Sequence, residues 1–185
     1  MQPTIKNILL SATGAQSIDN NTVIQSLWSG YGQIVRLGLG GGEYSSVVLK
    51  HIKLPDGGDH PRGWNTGLSH QRKVRSYQVE AYWYQHYAGR CGDDCIVPSC
   101  LAVNAGGDET VLVLTDLDAL GFDVRKDSVE LDDIYACLGW LASFHATFLN
   151  SNYDCLWECG TYWHLDTDQM NWRRWMMLLC VRRRH

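Results

Sequence analysis

Residues 22–54 read TVIQSLWSGYGQIVRLGLGGGEYSSVVLKHIKL, and this stretch decides the fold class. Three runs rich in Val, Ile, Leu and aromatics, 22–28, 33–39 and 45–51, are parted by two glycine turns, Ser29-Gly30-Tyr31-Gly32 and Gly40-Gly41-Gly42-Glu43. Short apolar runs bounded by glycine read as strands, and turns of this length join antiparallel neighbours. The pattern predicts a three-stranded meander. A loop with Pro55, Gly57, Gly58, Pro61 and Gly63 follows, and then the period changes. Over 69–88 the residues Val74, Tyr77, Ala81, Tyr84 and Ala88 recur at steps of three and four, with Arg72, Lys73, Arg75 and Gln85 off that face, which predicts a helix. Two more strand-like runs, 96–104 and 110–117, flank the hairpin signal Ala105-Gly106-Gly107-Asp108. From Asp127 the helical period returns, with Asp127 and Glu130 placed as N-cap and N3 partner and Ile134, Leu138, Leu141, His145 and Phe148 on one face. The expected fold is α+β, a five-stranded antiparallel sheet with its helix, followed by the first helices of a second, helical part. No internal repeat or low-complexity tract interrupts it.

Composition sets the outer bounds. With 185 residues, 45% hydrophobic and 19% charged, the chain suffices for one domain, or for one domain and part of a second. The formal charge of −4 argues against a nucleic-acid binder that works by bulk positive potential. That charge is uneven: residues 1–172 hold eleven basic against twenty acidic side chains, a formal −9, and the last thirteen carry +5. No window approaches the roughly 18 apolar residues of a membrane span. Ile8-Leu9-Leu10 behind Lys6 is too little for a signal peptide, so a cytoplasmic location is expected. Seven Cys without an export signal read as reduced thiols, several of them in the core. Cys91, Cys95, Cys100 and His86 lack the paired knuckles of a zinc site, and no metal through cysteine is expected.

The order of parts suggests a chemistry. A glycine turn between strands, a strand ending in Lys50, a helix bearing Glu80 and a strand leading to a linker follow the order of a kinase small lobe. Glycines at 30 and 32 would let backbone N–H groups approach phosphate oxygens, Lys50 would meet the α and β phosphates, and Glu80 would hold that lysine in place. Each piece also has a plain structural role: hairpins need glycine, a strand-end lysine can snorkel, and the aspartates of Thr115-Asp116-Leu117-Asp118 can cap a turn. His145, on the apolar face of its helix, reads as a hydrogen-bonded core histidine rather than a base.

Residues 47–51, 78–87, 111–125 (VLVLTDLDALGFDVR) and 138–148 (LGWLASFHATF) carry a resemblance that covers most of 22–150. In them the chain resembles the choline-kinase-like and aminoglycoside-phosphotransferase superfamily, nearest its ecdysteroid-kinase-like branch. The resemblance implies a protein-kinase-like nucleotide-binding lobe at 1–118, the start of a helical lobe at 119–168 and a divergent basic tail at 169–185. It implies ATP with Mg²⁺ and transfer of the γ-phosphoryl group to a hydroxyl of a small organic molecule. The nucleotide would be held by Gly30, Tyr31, Gly32, Lys50 and Glu80, and its adenine by the strand end and hinge Leu114, Thr115, Asp116 and Leu117.

The remaining family parts, a His-Gly-Asp-x-x-x-x-Asn loop and a later metal-binding Asp, are absent as written. The nearest candidates are His164, Asp166 and Asn171, which fit a looser H-x-D-x-x-x-x-N spacing, but no acid follows Asp168 to serve as the metal ligand. The expectation is therefore a chain truncated or frame-shifted after about residue 168, with no intact catalytic set and its Mg²⁺ ligands in the missing part. The alternative is a non-catalytic nucleotide-binding or protein-interaction fragment that self-associates through the exposed face of an incomplete lobe. A third reading takes the tail with Arg173, Arg174 and Arg182 to Arg184 as a basic amphipathic segment for acidic partners or a membrane surface.

Overall fold

The computed structural model describes residues 1–27, 30–54 and 67–158. Met1–Asp154 is one compact unit and Cys155–His185 another; the architecture below is that of the first. Its elements run α1 (Pro3–Thr13), β1 (Ser17–Ser26), β2 (Gly32–Gly40), β3 (Ser46–Lys53), α2 (Gly67–His86), β4 (Cys100–Gly106), β5 (Glu109–Thr115) and α3 (Leu131–Phe148). Short 3₁₀ turns at Ala88–Arg90, Asp93–Cys95 and Asp118–Leu120 link them. The fold is α+β. Its five strands form one antiparallel sheet in the order β1-β2-β3-β5-β4.

Strand periodicity sorts the side chains onto two faces. On one, Val35, Leu37 and Leu39 of β2, Val47 and Leu49 of β3, and Val111 and Val113 of β5 form the main core with Ile5 and Leu9 of α1. The other face carries Val48 and Lys50 of β3 beside Leu112 and Leu114 of β5. There Leu112 and Leu114 pack with Ala81 of α2, with Val48 and Tyr84 against them. The sheet is thus covered by a helix on each side.

Helix α1 is the element that sequence periodicity missed. It starts on Pro3 at its first turn, where a missing N–H costs nothing, and ends at Gly14, whose N–H bonds the Leu10 carbonyl at 3.0 Å. Its buried stripe is Ile5, Leu9 and Thr13, one residue per turn. The stripe ends on a polar side chain: the Thr13 hydroxyl bonds back to the Leu9 carbonyl at 2.8 Å. Strand β1 likewise begins earlier than expected, because Ser17 to Asn21 pair with β2 from Gly40 to Leu37. As an exposed edge strand it tolerates a polar sequence.

The last helix differs from expectation at both its start and its face. It begins one turn later than Asp127, with Glu130 as N-cap; Asp133 receives the Glu130 backbone N–H at 3.0 Å and fills the N3 role. Asp132 and Asp133 also set negative charge at the positive end of the helix dipole. The face that docks is Trp140, Phe144, Thr147 and Phe148. The Trp140 indole donates to the Ile96 carbonyl at 2.9 Å, Phe144 and Phe148 meet Trp83 of α2, and Arg90 lies 4.9 Å over the Phe148 ring. Of the expected stripe only Phe148 is buried; Ile134, Leu138 and Leu141 are exposed by 43%, 54% and 41%. His145 is exposed as well, which corrects its reading as a core histidine.

Two substitutions test this partition. Leu9→Ala, in a fully buried side chain, is expected to cost about 2–5 kcal/mol in denaturant unfolding. Leu138→Gln, on the open face of α3, is expected to stay within about 0.5 kcal/mol of the parent chain. A large loss at Leu138 would show that this face is covered in solution.

Candidate functional site

The sheet register builds the site. Across β2, β3 and β5 the rows Ile34–Lys50–Leu112 and Arg36–Val48–Leu114 lie side by side on the face toward α2. Lys50 follows Val48 by two residues, so it points to the same side, about 7 Å further along the strand. Helix α2 packs over Leu112 and Leu114 through Ala81, and one residue earlier Glu80 is aimed at the lysine. The Lys50 ammonium donates to both carboxylate oxygens of Glu80 at 2.6 Å. With side-chain exposures of 14% and 30%, this is a sheltered pair rather than a surface one. Lys50 and Glu80, singled out from the order of parts, are thus brought together.

The glycine turn lies at the same end. Gly30 has φ +77° and Gly32 φ +134°, both in the region where L side chains are strained. A Cβ on Gly32 would fall 2.0 Å from the His51 carbonyl oxygen of β3, so close strand approach already accounts for that glycine. Tyr31 between them turns inward. Its side chain is 6% exposed, packs with Ile52 and Tyr77, and its hydroxyl meets His70 Nδ1 of α2 at 2.8 Å. Its carbonyl accepts the Lys53 N–H at 2.8 Å. The turn is therefore pinned to the helix and to β3 through the tyrosine.

Two cations that sequence reasoning left aside belong to this face. Lys73, expected off the packed face of α2, stands one turn before Tyr77, with its ammonium 5.2 Å from that ring's centroid. Lys50 reaches the same ring at 5.6 Å. Burial lowers the Lys73 pKa, and the nearby Lys50 charge lowers it further against the pull of Glu80.

Arg36 of β2 is the second. Its Nε donates to Asp116 Oδ2 at 2.7 Å and its Nη2 to Asp116 Oδ1 at 3.2 Å, and it also pairs with Asp118. Asp116, 4% exposed, further accepts the Ser46 hydroxyl at 2.7 Å and the Asp118 backbone N–H at 3.2 Å. Its carboxylate is spent on holding the strand end against the sheet. Of the expected hinge, Leu114 is core, Thr115 is tied to Ser99 by bonds in both directions, and Leu117 opens the 3₁₀ turn Asp118–Leu120. The hydrogen bond Asp118 shares with Arg125, at 2.5 Å, holds its carboxyl below the usual range, and Arg36 adds to that effect.

Among the described residues no group of three or more His, Cys, Asp or Glu is placed to hold a metal ion. His164, Asp166, Asn171 and the arginine-rich tail lie outside the described residues. Among the described residues no helix is long and apolar enough to cross a membrane. No protein-family model and no curated protein matches the chain.

The depressed Asp118 carboxyl has a defined pH consequence. A carboxyl whose folded pKa lies below its unfolded value of about 3.9 lends stability in full above that value and loses it as pH falls through the folded pKa. Melting curves between about pH 2 and pH 6 are therefore expected to fall less steeply below pH 4 in Asp118→Asn than in the parent chain. Asp116→Ala, which leaves the Arg36 guanidinium and the Ser46 hydroxyl without their shared acceptor, is expected to cost about 1–3 kcal/mol at neutral pH.

Proposed function

We propose that residues 1–118 are the nucleotide-binding lobe of a protein-kinase-like, ATP-dependent phosphotransferase that acts on a hydroxyl of a small molecule. The observation that carries the reading is the Lys50–Glu80 pair, two bonds of 2.6 Å between a central strand and the helix that covers it. An ammonium fixed at that depth, next to a glycine turn, suits the α and β phosphates of a nucleotide, and the Glu80 carboxylate holds it in place. Val48, one pleat away and only partly buried, would give a purine base an apolar side chain to rest on near the strand end Leu114 to Leu117. The resemblance of residues 111–125 and 138–148 points the same way.

The fit differs between nucleotide and metal. Lys50, positioned by Glu80, and the backbone of Gly30 to Gly32 would hold and orient the phosphates. Mg²⁺ would neutralise charge on the transferring phosphoryl group, but the described residues offer it no ligand cluster. In this reading the described residues bind and orient, and the parts that deprotonate the acceptor and hold metal lie elsewhere.

One observation favours the second reading, a protein-interaction fragment: Leu131, Ile134, Tyr135, Leu138 and Leu141 leave a long apolar face of α3 in solvent.

A thermal-shift titration separates the two. Millimolar Mg·ATP is expected to raise the melting temperature of the parent chain by a few degrees, since a ligand that binds only the folded state stabilises it, and Lys50→Ala is expected to abolish the rise. A parent chain indifferent to the nucleotide would leave the interaction reading.

A further inference from the structure

We propose that Lys73 is a second anion-binding residue of the site, placed to hold the terminal phosphates of a polyphosphate ligand alongside Lys50. The proposal rests on the phosphate-binding reading of Lys50 and extends it to a residue that neither the order of parts nor the resemblance singles out.

The geometry begins with helix α2, where Lys73, Tyr77 and Glu80 stand at i, i+4 and i+7 and so share one face. Lys73 and Lys50 approach the same Tyr77 ring, at 5.2 and 5.6 Å from its centroid, one ammonium coming from the helix and the other from the sheet. Glu80 spends both oxygens on Lys50, and among the described residues no carboxylate pairs with Lys73. The trio Lys50, Lys73 and Glu80 therefore keeps one uncompensated positive charge in a half-buried setting.

Two lysines that share one ring, one of them without an ion-pair partner among the described residues, oppose folding unless something anionic completes the set. The low Lys73 pKa, caused by burial and by Lys50, registers that opposition. The charge also runs against its surroundings: residues 1–172 carry a formal −9, yet 70–75 reads HQRKVR with no acid. Both ammonium groups lie by the ring of Tyr77, and Tyr31 packs on that ring at 6.1 Å between centroids, which brings the glycine turn to the same corner. Two cations beside one aromatic ring offer a chain of phosphates more than one point of contact.

The test is equilibrium titration of the full chain with sodium tripolyphosphate, pyrophosphate and orthophosphate at constant ionic strength. The proteins compared are the parent, Lys73→Met, Lys73→Arg and Lys50→Ala, with the ligand-free melting temperature of each recorded. The expected result is that Lys73→Met binds tripolyphosphate about tenfold more weakly and loses the preference for tripolyphosphate over pyrophosphate, while Lys73→Arg keeps both. The ligand-free melting temperature of Lys73→Met is expected to equal or exceed the parent's, a sign opposite to that of a structural residue.

Tripolyphosphate binding that Lys73→Met leaves unchanged would overturn the proposal, as would a weakening that comes with a lower melting temperature and no rescue by arginine. If ATP binds and needs Lys50 but not Lys73, the proposal fails and the nucleotide reading stands. If tripolyphosphate needs both lysines while ATP binds no better, the proposal stands and the nucleotide reading fails. A parent chain that binds none of these anions overturns both.

Discussion

A lysine in the middle of a five-stranded sheet needs a partner for its ammonium group. Lys50 sits on β3, flanked by β2 and β5, and its side chain is 14% exposed. Taking an ammonium this far from water is costly unless an acid arrives with matching geometry, and Glu80 of α2 does so. That requirement constrains much else. Helix α2 must lie across the β3–β5 face at a fixed angle and register, Ala81 must be small where the helix touches Leu112 and Leu114, and Tyr77 must fill the space one turn earlier. The pair is less a source of stability than a determinant of how helix and sheet are set against each other.

Opposite ends of the same face are held by different means. At the glycine turn the fixing is by packing and one hydrogen bond, Tyr31 to His70, in a small cluster with Ile52 and Tyr77. At the end of β5 it is ionic: Asp116 receives Arg36, Ser46 and the Asp118 N–H, and Asp118 passes the chain of charge on to Arg125. A buried carboxylate with this many donors is fully satisfied, so the strand end is rigid and its polar groups are already committed. The lysine corner differs. There Lys73 stands over the Tyr77 ring, and among the described residues no carboxylate forms an ion pair with it.

Much of the sheet was legible because its signals are local. Glycine turns at 40–43 and 105–108 delimit strands whose alternation needs no tertiary information, and 33–39 is found within a residue at each end as β2. Lys50 and Glu80 were legible from the order of the elements that bear them. Other features were not. Helix α1 buries only Ile5, Leu9 and Thr13, a stripe that ends in a hydroxyl, and β1 is written in Asp, Asn, Thr and Ser because an edge strand has little to bury. Lys73 and Arg36 look like solvated surface in the sequence, since nothing local tells a cation over a ring or a buried aspartate from one in water. The α3 cap was misplaced by one turn because Asp127, Glu130 and Asp133 all offer the same spacing, and only the folded backbone selects among them.

Strand count, the α+β class and the apolar stripe of α2 are all readable along the chain. All of these follow from period, glycine and element order, which are properties of neighbouring residues. Which apolar stripe is core and which faces water, as Phe148 and Leu138 show on one helix, and which charges meet are settled by folding alone. Periodicity defines a face but not what lies opposite it. The meetings of Arg36 with Asp116 and of Lys50 with Tyr77 span 80 and 27 positions of chain, separations over which only packing brings side chains together.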